Sequence, residues 1–185
     1  MNTNMMKLMA VAAAMGAAVM GCGRSEGTTN LGPADPGPAA GQGTAGKTTP
    51  IELRVLGVHG EAYSQALVSV SAVEVSVDGQ RVPADVSGQV VDLANANQAW
   101  KVATAAVPEG AKAVQFTVRF DEYGGYASSS GSGDLDLRSV PISVTSPAAS
   151  LARNGRAVIL LDLSRSFVRG GSETRQLLPH YDVAY

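Results

Sequence analysis

Few residues in this chain have side chains suited to chemistry. Cys22 is its one thiol, and His59 and His180 are its two imidazoles. A hydrolytic triad would draft either histidine with Asp162 and a serine, because an imidazole takes the hydroxyl proton and a carboxylate orients the ring. No Gly-x-Ser-x-Gly lies between a strand and a helix to present such a serine, and the serines cluster in flexible stretches. No catalytic residue is therefore assigned, and no cofactor is expected. Two histidines far apart in the chain, without a further cysteine, argue against a transition-metal site. Asp121, Glu122, Asp134 and Asp136 flank a Gly- and Ser-rich stretch over 122–133. Carboxylates converging at a loop base suit Ca²⁺, which takes roughly six to eight oxygen ligands; solvated strand ends are the simpler alternative. Trp100, Tyr123 and Tyr126 are the aromatics that strand alternation explains least. Such rings stack on sugars when exposed, whereas the plainer reading makes Trp100 a core or edge plug and the tyrosines loop anchors. Asp162, inside an apolar run, is expected to be hydrogen-bonded to neighbouring backbone, since a buried unpaired carboxylate is costly.

Cys22 stands apart by its position. The chain has 185 residues, with six methionines all ahead of Cys22 and none after it. Lys7 supplies a short positive start, and Leu8 to Met20 follow as an uncharged Ala- and Met-rich run. That run has the length of a signal-peptide apolar region and falls short of the ~20 residues that cross a bilayer. Val19-Met20-Gly21-Cys22 resembles the lipobox of bacterial lipoproteins: an aliphatic residue, a middle residue, a small residue, then the acceptor Cys. The resemblance implies cleavage before Cys22, a diacylglyceryl group on its thiol and a membrane anchor. Acyl chains contribute about 0.8 kcal/mol per buried methylene, so two or three hold firmly. Gly23 in place of Asp implies, by the same resemblance, sorting to the outer membrane in a Gram-negative host. The net charge of −2 becomes −3 once Lys7 leaves with the leader, so no basic field invites nucleic acid.

Three segments are thus expected: a signal peptide over 1–21, a lipidated Cys and tether over 22–49, and a domain over 50–185. Between Gly23 and Thr49 there are seven Gly and three Pro but only one large aliphatic, Leu31. Such a segment buries too little apolar surface to offset its ordering entropy, which predicts a disordered spacer.

From Pro50 the texture changes to alternation of period two, the mark of half-buried strands. Ile51, Leu53 and Val55 alternate with Glu52 and Arg54. Val68 and Val70 have one parity while Val73, Val75 and Val77 have the other, which predicts a β-bulge near Ser71-Ala72. Asp78-Gly79 and Pro108-Glu109-Gly110 read as turns. Lys112 to Asp121 is the clearest strand. Leu135, Leu137, Ile142 and Val144 read as one strand interrupted near Pro141, hence an edge or a bend. Asn154-Gly155 turns the chain into Ala157 to Leu163, an apolar run suited to a central strand, and residues 175–185 offer one more. Only Gln89 to Ala106 and Ser146 to Arg153 lean toward helix, on their alanines. Six to eight short strands with turns between them predict an all-β, two-layer antiparallel β-sandwich.

The order of segments carries a second resemblance. Val55-Leu56-Gly57-Val58 precedes the valine-rich Val68 to Val77, then Val91-Asp-Leu93 and Val107-Pro-Glu-Gly110. The Val114 to Phe120 strand, Val158 to Leu163 and Leu177-Leu-Pro-His180 follow. Over about 50–185 this succession resembles a family of bacterial envelope lipoprotein domains of unknown function. The resemblance implies an immunoglobulin-like or prealbumin-like sandwich and assigns no catalytic residue. It departs after the first strand, where the family often has Asp-Ala-Pro and this chain has Val58-His-Gly-Glu-Ala62. The reading expected from the whole is a lipid-anchored, non-enzymatic structural or adhesive module of the cell envelope. Its partners would be the membrane and an envelope protein or glycan. A carbohydrate-binding module using Trp100, Tyr123 and Tyr126 is the alternative, and a secreted hydrolase is a third that lacks a nucleophile–base pair.

Overall fold

The computed structural model describes residues 46–88, 90–138, 141–170 and 174–185. The leader, Cys22 and the tether up to residue 45 lie outside the described residues. The alternation of Ile51, Leu53 and Val55 becomes strand β1 (Thr48–Val58), with these three side chains buried. After a short turn comes β2 (Tyr63–Val77). All five of its valines at 68, 70, 73, 75 and 77 are buried. The change of parity is absorbed by a register shift between Val70 and Ala72, the expected bulge. Asp78 (φ 48°) and Gly79 (φ 83°) then form the tight turn, both in the left-handed region that a type I′ hairpin requires.

Three-residue strands β3 (Gln80–Val82), β4 (Ala84–Val86) and β5 (Val90–Asp92) follow, then β6 (Trp100–Pro108). The helix expected over Gln89 to Ala106 is therefore replaced by strands. Val102, Ala103, Ala105 and Val107 are buried in β6, and that burial outweighs the helical preference of alanine. Gly110 (φ 85°) completes the Pro108-Glu109-Gly110 turn into β7 (Ala113–Phe120).

The Gly- and Ser-rich stretch is a second departure. Instead of a loop it forms a hairpin, β8 (Tyr123–Ser128) and β9 (Gly131–Asp136). Glycine is needed in it: a Cβ at Gly124 would collide with the Leu67 carbonyl oxygen, so only a bare backbone packs this closely on β2. The single interrupted strand expected around Pro141 is in fact two strands in different places. β9 lies in the hairpin, whereas β10 (Ile142–Pro147) lies at an edge beside β7.

Helix α1 (Ala148–Asn154) matches the second helical expectation. Gly155 (φ 69°) stops it, donating its N–H to the Leu151 carbonyl at 2.7 Å. The remaining elements are β11 (Arg156–Asp162), α2 (Leu163–Ser166), β12 (Phe167–Arg169), β13 (Arg175–Leu177) and β14 (Tyr181–Ala184).

The strands form two sheets packed in a sandwich. One runs β14-β11-β1-β6-β4; the other runs β10-β7-β2-β8-β9-β13-β12, with β3 and β5 also on β2. The fold is all-β as expected, but it is mixed instead of purely antiparallel. β1 and β11 run parallel from Glu52↔Arg156 to Val58↔Asp162, and β13 runs parallel to β9. The first reversal follows from α1, which carries the chain back so that β11 starts beside the early part of β1. Thus the apolar run of β11 is an inner strand between β1 and β14, with Ala157, Val158, Ile159 and Leu161 buried. Among the described residues there are fourteen strands, more than the expected six to eight, in part because five of them have three residues, too few to show a period.

Candidate functional site

The parallel pairing of β1 and β11 ends at Val58 and Asp162, which lie side by side. Everything that leaves these two strand ends meets in one cleft. Beyond Val58 the chain turns at His59, whose φ of 52° lies in the left-handed region, where histidine is better tolerated than branched residues. Beyond Asp162 it enters α2. Asp162 caps that helix: its Oδ1 accepts the Arg165 N–H at 3.1 Å and the Ser164 hydroxyl at 2.7 Å. Its Oδ2 lies 3.0 Å from His59 Nδ1. The Ser164 hydroxyl, then the His59 ring and the Arg165 amide, hold the Asp162 carboxyl below the usual carboxylate range, against the opposing effect of burial.

The second histidine arrives from another direction. His180 precedes β14, and its carbonyl accepts the Asp162 N–H at 2.9 Å. The Ser166 hydroxyl, fully buried, accepts the His180 N–H at 2.9 Å and donates to the His180 carbonyl at 3.3 Å. His180 is thereby locked next to Asp162 through its backbone. The result is a cavity of about 350 Å³. Val58 and Leu160 supply apolar walls, and His59, Asp162, Arg165, His180, Tyr181 and Asp182 the polar ones.

The arrangement resembles part of a hydrolytic triad, since a carboxylate on Nδ1 leaves Nε2 available for proton transfer. It lacks the third member. Ser164 bonds to the carboxylate and not to the imidazole, and no serine lines the cavity. Among the described residues, no three His, Cys, Asp or Glu side chains stand together to hold a metal ion.

No family model, curated protein or solved structure matches this chain.

The residues singled out from sequence are dispersed. Trp100 is half-buried on β6, packs against the core, and donates its indole N–H to the Asp92 carbonyl at 3.0 Å. Tyr123 is 53% exposed, with the Arg138 guanidinium 5.1 Å from its ring centroid. Tyr126, three residues along β8, lies on the opposite face, as strand alternation requires. There its ring meets Tyr63 edge-on at 6.3 Å and the Arg175 guanidinium at 5.1 Å. Tyr123 and Tyr126 thus face opposite sides of β8, and Trp100 stands on β6 in the other sheet.

The carboxylates are also apart in role. Asp121 and Glu122 border a hollow of about 180 Å³ together with Arg119 and Arg138. Asp134 is exposed on β9. Asp136 accepts from the Arg138 guanidinium at 2.8 and 3.0 Å and from the Arg138 N–H at 3.0 Å. The guanidinium, then that N–H, hold the Asp136 carboxyl down at about 2. Its oxygens are turned to a cation already supplied by the chain.

Sequence reasoning paired either histidine with Asp162 only as part of a hydrolytic triad that it set aside, and it missed Arg165 and Asp182. The departure at Val58-His-Gly-Glu-Ala62 was the one available signal, because it placed a histidine just past a strand end.

Proposed function

We propose that this chain is a lipid-anchored envelope lipoprotein whose β-sandwich acts as a non-enzymatic structural or adhesive module. The Val19 to Cys22 lipobox and the succession of segments over 50–185 support that reading, with the outer membrane as its address in a Gram-negative host. The observation that carries it is the setting of β1, the strand into which the tether leads. β1 is an inner strand, laddered to β11 over seven register pairs and to β6 over eight. A tensile force arriving from Cys22 would therefore meet both ladders in shear, and not peel an edge strand bond by bond. At roughly 3.3 Å per residue, the 11 residues of β1 run about 33 Å from Thr48 to Val58. The cleft at His59 thus lies beyond the opposite end of β1 from Thr48.

The carbohydrate-binding alternative gains little from Trp100, whose indole N–H is bonded to Asp92, or from Tyr123 and Tyr126, which face opposite sides of β8. The test is to express the full chain in a two-membrane bacterium and follow radiolabelled palmitate incorporation and detergent-phase partition. Both are expected to vanish in Cys22→Ser; membrane retention of that variant would overturn the anchor. Ester or glycoside hydrolysis by the native chain, lost in His59→Ala, would overturn the non-enzymatic part.

A further inference from the structure

The cleft beyond β1 and β11 has the composition of a binding site. Val58 and Leu160 stand on one face of the paired strands, since Leu56 faces Leu160 in register and Val58 is two residues on. They give the cavity an apolar floor. Around it stand His59 from the end of β1, Asp162 from β11, Arg165 from α2, His180 from the segment before β14, and Asp182 from β14. Tyr181 also borders it, but its hydroxyl donates to the Ser143 carbonyl at 2.7 Å.

The free groups are mostly donors. Asp162 has both oxygens taken, by Ser164 and the Arg165 amide on one and by His59 on the other. Among the described residues, the side chains of Arg165 and His180 have no hydrogen-bond or ion-pair partner. His59 keeps its Nε2 free. Asp182 is the one carboxylate of the cavity outside these bonds. A guanidinium is the best side chain for planar oxyanions, and two imidazoles add donors as they protonate. A volume of about 350 Å³ is in the range of small-ligand sites, at their lower end.

We infer that this cleft binds a small organic anion, its carboxylate or phosphate held by Arg165, His59 and His180 and its apolar body resting on Val58 and Leu160. Protonation of His59 and His180 strengthens the hold, while Asp182 on the rim opposes it. The anchor is read by palmitate on Cys22 and the cleft by anion binding at Arg165, so loss of membrane attachment and loss of anion binding are separate results.

The full chain is titrated with benzoate and with phenyl phosphate, followed by calorimetry and by the imidazole NMR signals. Benzyl alcohol and benzylamine serve as neutral and cationic controls. Titrations are run at about pH 5.5 and about pH 8. At least one anion is expected to bind saturably, about tenfold tighter at the lower pH. Binding of benzoate alone assigns a carboxylate ligand, and binding of phenyl phosphate alone assigns a phosphate. Arg165→Ala should weaken binding about tenfold, and Asp182→Asn should tighten it a few-fold. The opposite signs of these two changes separate a specific site from a misfolded variant. Absence of binding at the lower pH, equal binding of benzyl alcohol, or indifference to Arg165→Ala would overturn the inference.

Discussion

His59 Nδ1 and Asp162 Oδ2 stand 3.0 Å apart although 103 residues separate them in the chain. The contact exists because Val58 and Asp162 are the last register partners of two parallel strands, so the residue after one strand end reaches the final residue of the other. Asp162 spends its remaining acceptor capacity on Ser164 and the Arg165 amide, which holds its carboxylate still and thereby orients the ring.

That relationship determines a tautomer. An ionised Asp162 requires the hydrogen on Nδ1 of the neutral His59 ring and leaves Nε2 bare. Nitrogen-15 NMR above the imidazole titration is expected to report the Nδ1–H form for His59. Asp162→Ala should return it toward the Nε2–H form and, by removing the cap of α2, lower the melting temperature. An unchanged tautomer in the variant would show that the pair does not persist in solution.

Acid should weaken the fold through three aspartates whose folded pKa values lie below the unfolded value of about 3.9. Asp78 is lowered by the amides of Ala113 and Lys112, Asp136 to about 2 by Arg138, and Asp162 mainly by Ser164. For a depressed carboxylate the stabilisation is complete above the unfolded pKa and is lost as pH falls through the folded one. The urea midpoint is therefore expected to be level above about pH 5 and to fall between about pH 4 and pH 2. Asp136→Asn should make that fall shallower, and added salt should do the same in part, since the Asp136–Arg138 pair borders solvent. An acid limb identical in Asp136→Asn would refute the assignment.

Gly57 sets how closely the two layers approach at this end. A Cβ there would run into the Leu93 carbonyl oxygen, just past β5. The obstacle is backbone, which cannot rotate aside. Gly57→Ala is expected to cost about 1–3 kcal/mol in denaturant unfolding, the usual penalty of overpacking. Gly79→Ala should act differently: it meets no atom within 4 Å, and its cost comes from the positive φ of 83°. An unaltered midpoint in Gly57→Ala would mean that the layers sit further apart.

Much of the fold was legible because it depends on neighbours a few residues away. The alternation of Ile51, Leu53 and Val55 identifies a buried face, and the parity change between Val70 and Val73 demands an extra residue. Asp78-Gly79 and Gly110 mark turns through their backbone freedom. The stretch over 89–106 misled because alanine fits a helix or a crowded strand equally well, and only burial of Ala103 and Ala105 decides between them. The 122–133 stretch misled because its glycines read as loop until a partner strand is close enough to need them.

The sequence alone settled that the domain is all-β, where β1, β2, β7 and β11 lie and that Cys22 sits in a lipobox-like setting. Tertiary structure alone decided that β11 lies parallel to β1, and with that it decided the cleft. Period two tells which face of a strand is buried, but it carries no information about which strand lies alongside or in which direction it runs. Those choices follow from burying one shared core, a property of the whole chain. His59, the Asp162–Arg165 segment and His180 come from separate parts of the chain and become a site only when that core has set β1 beside β11.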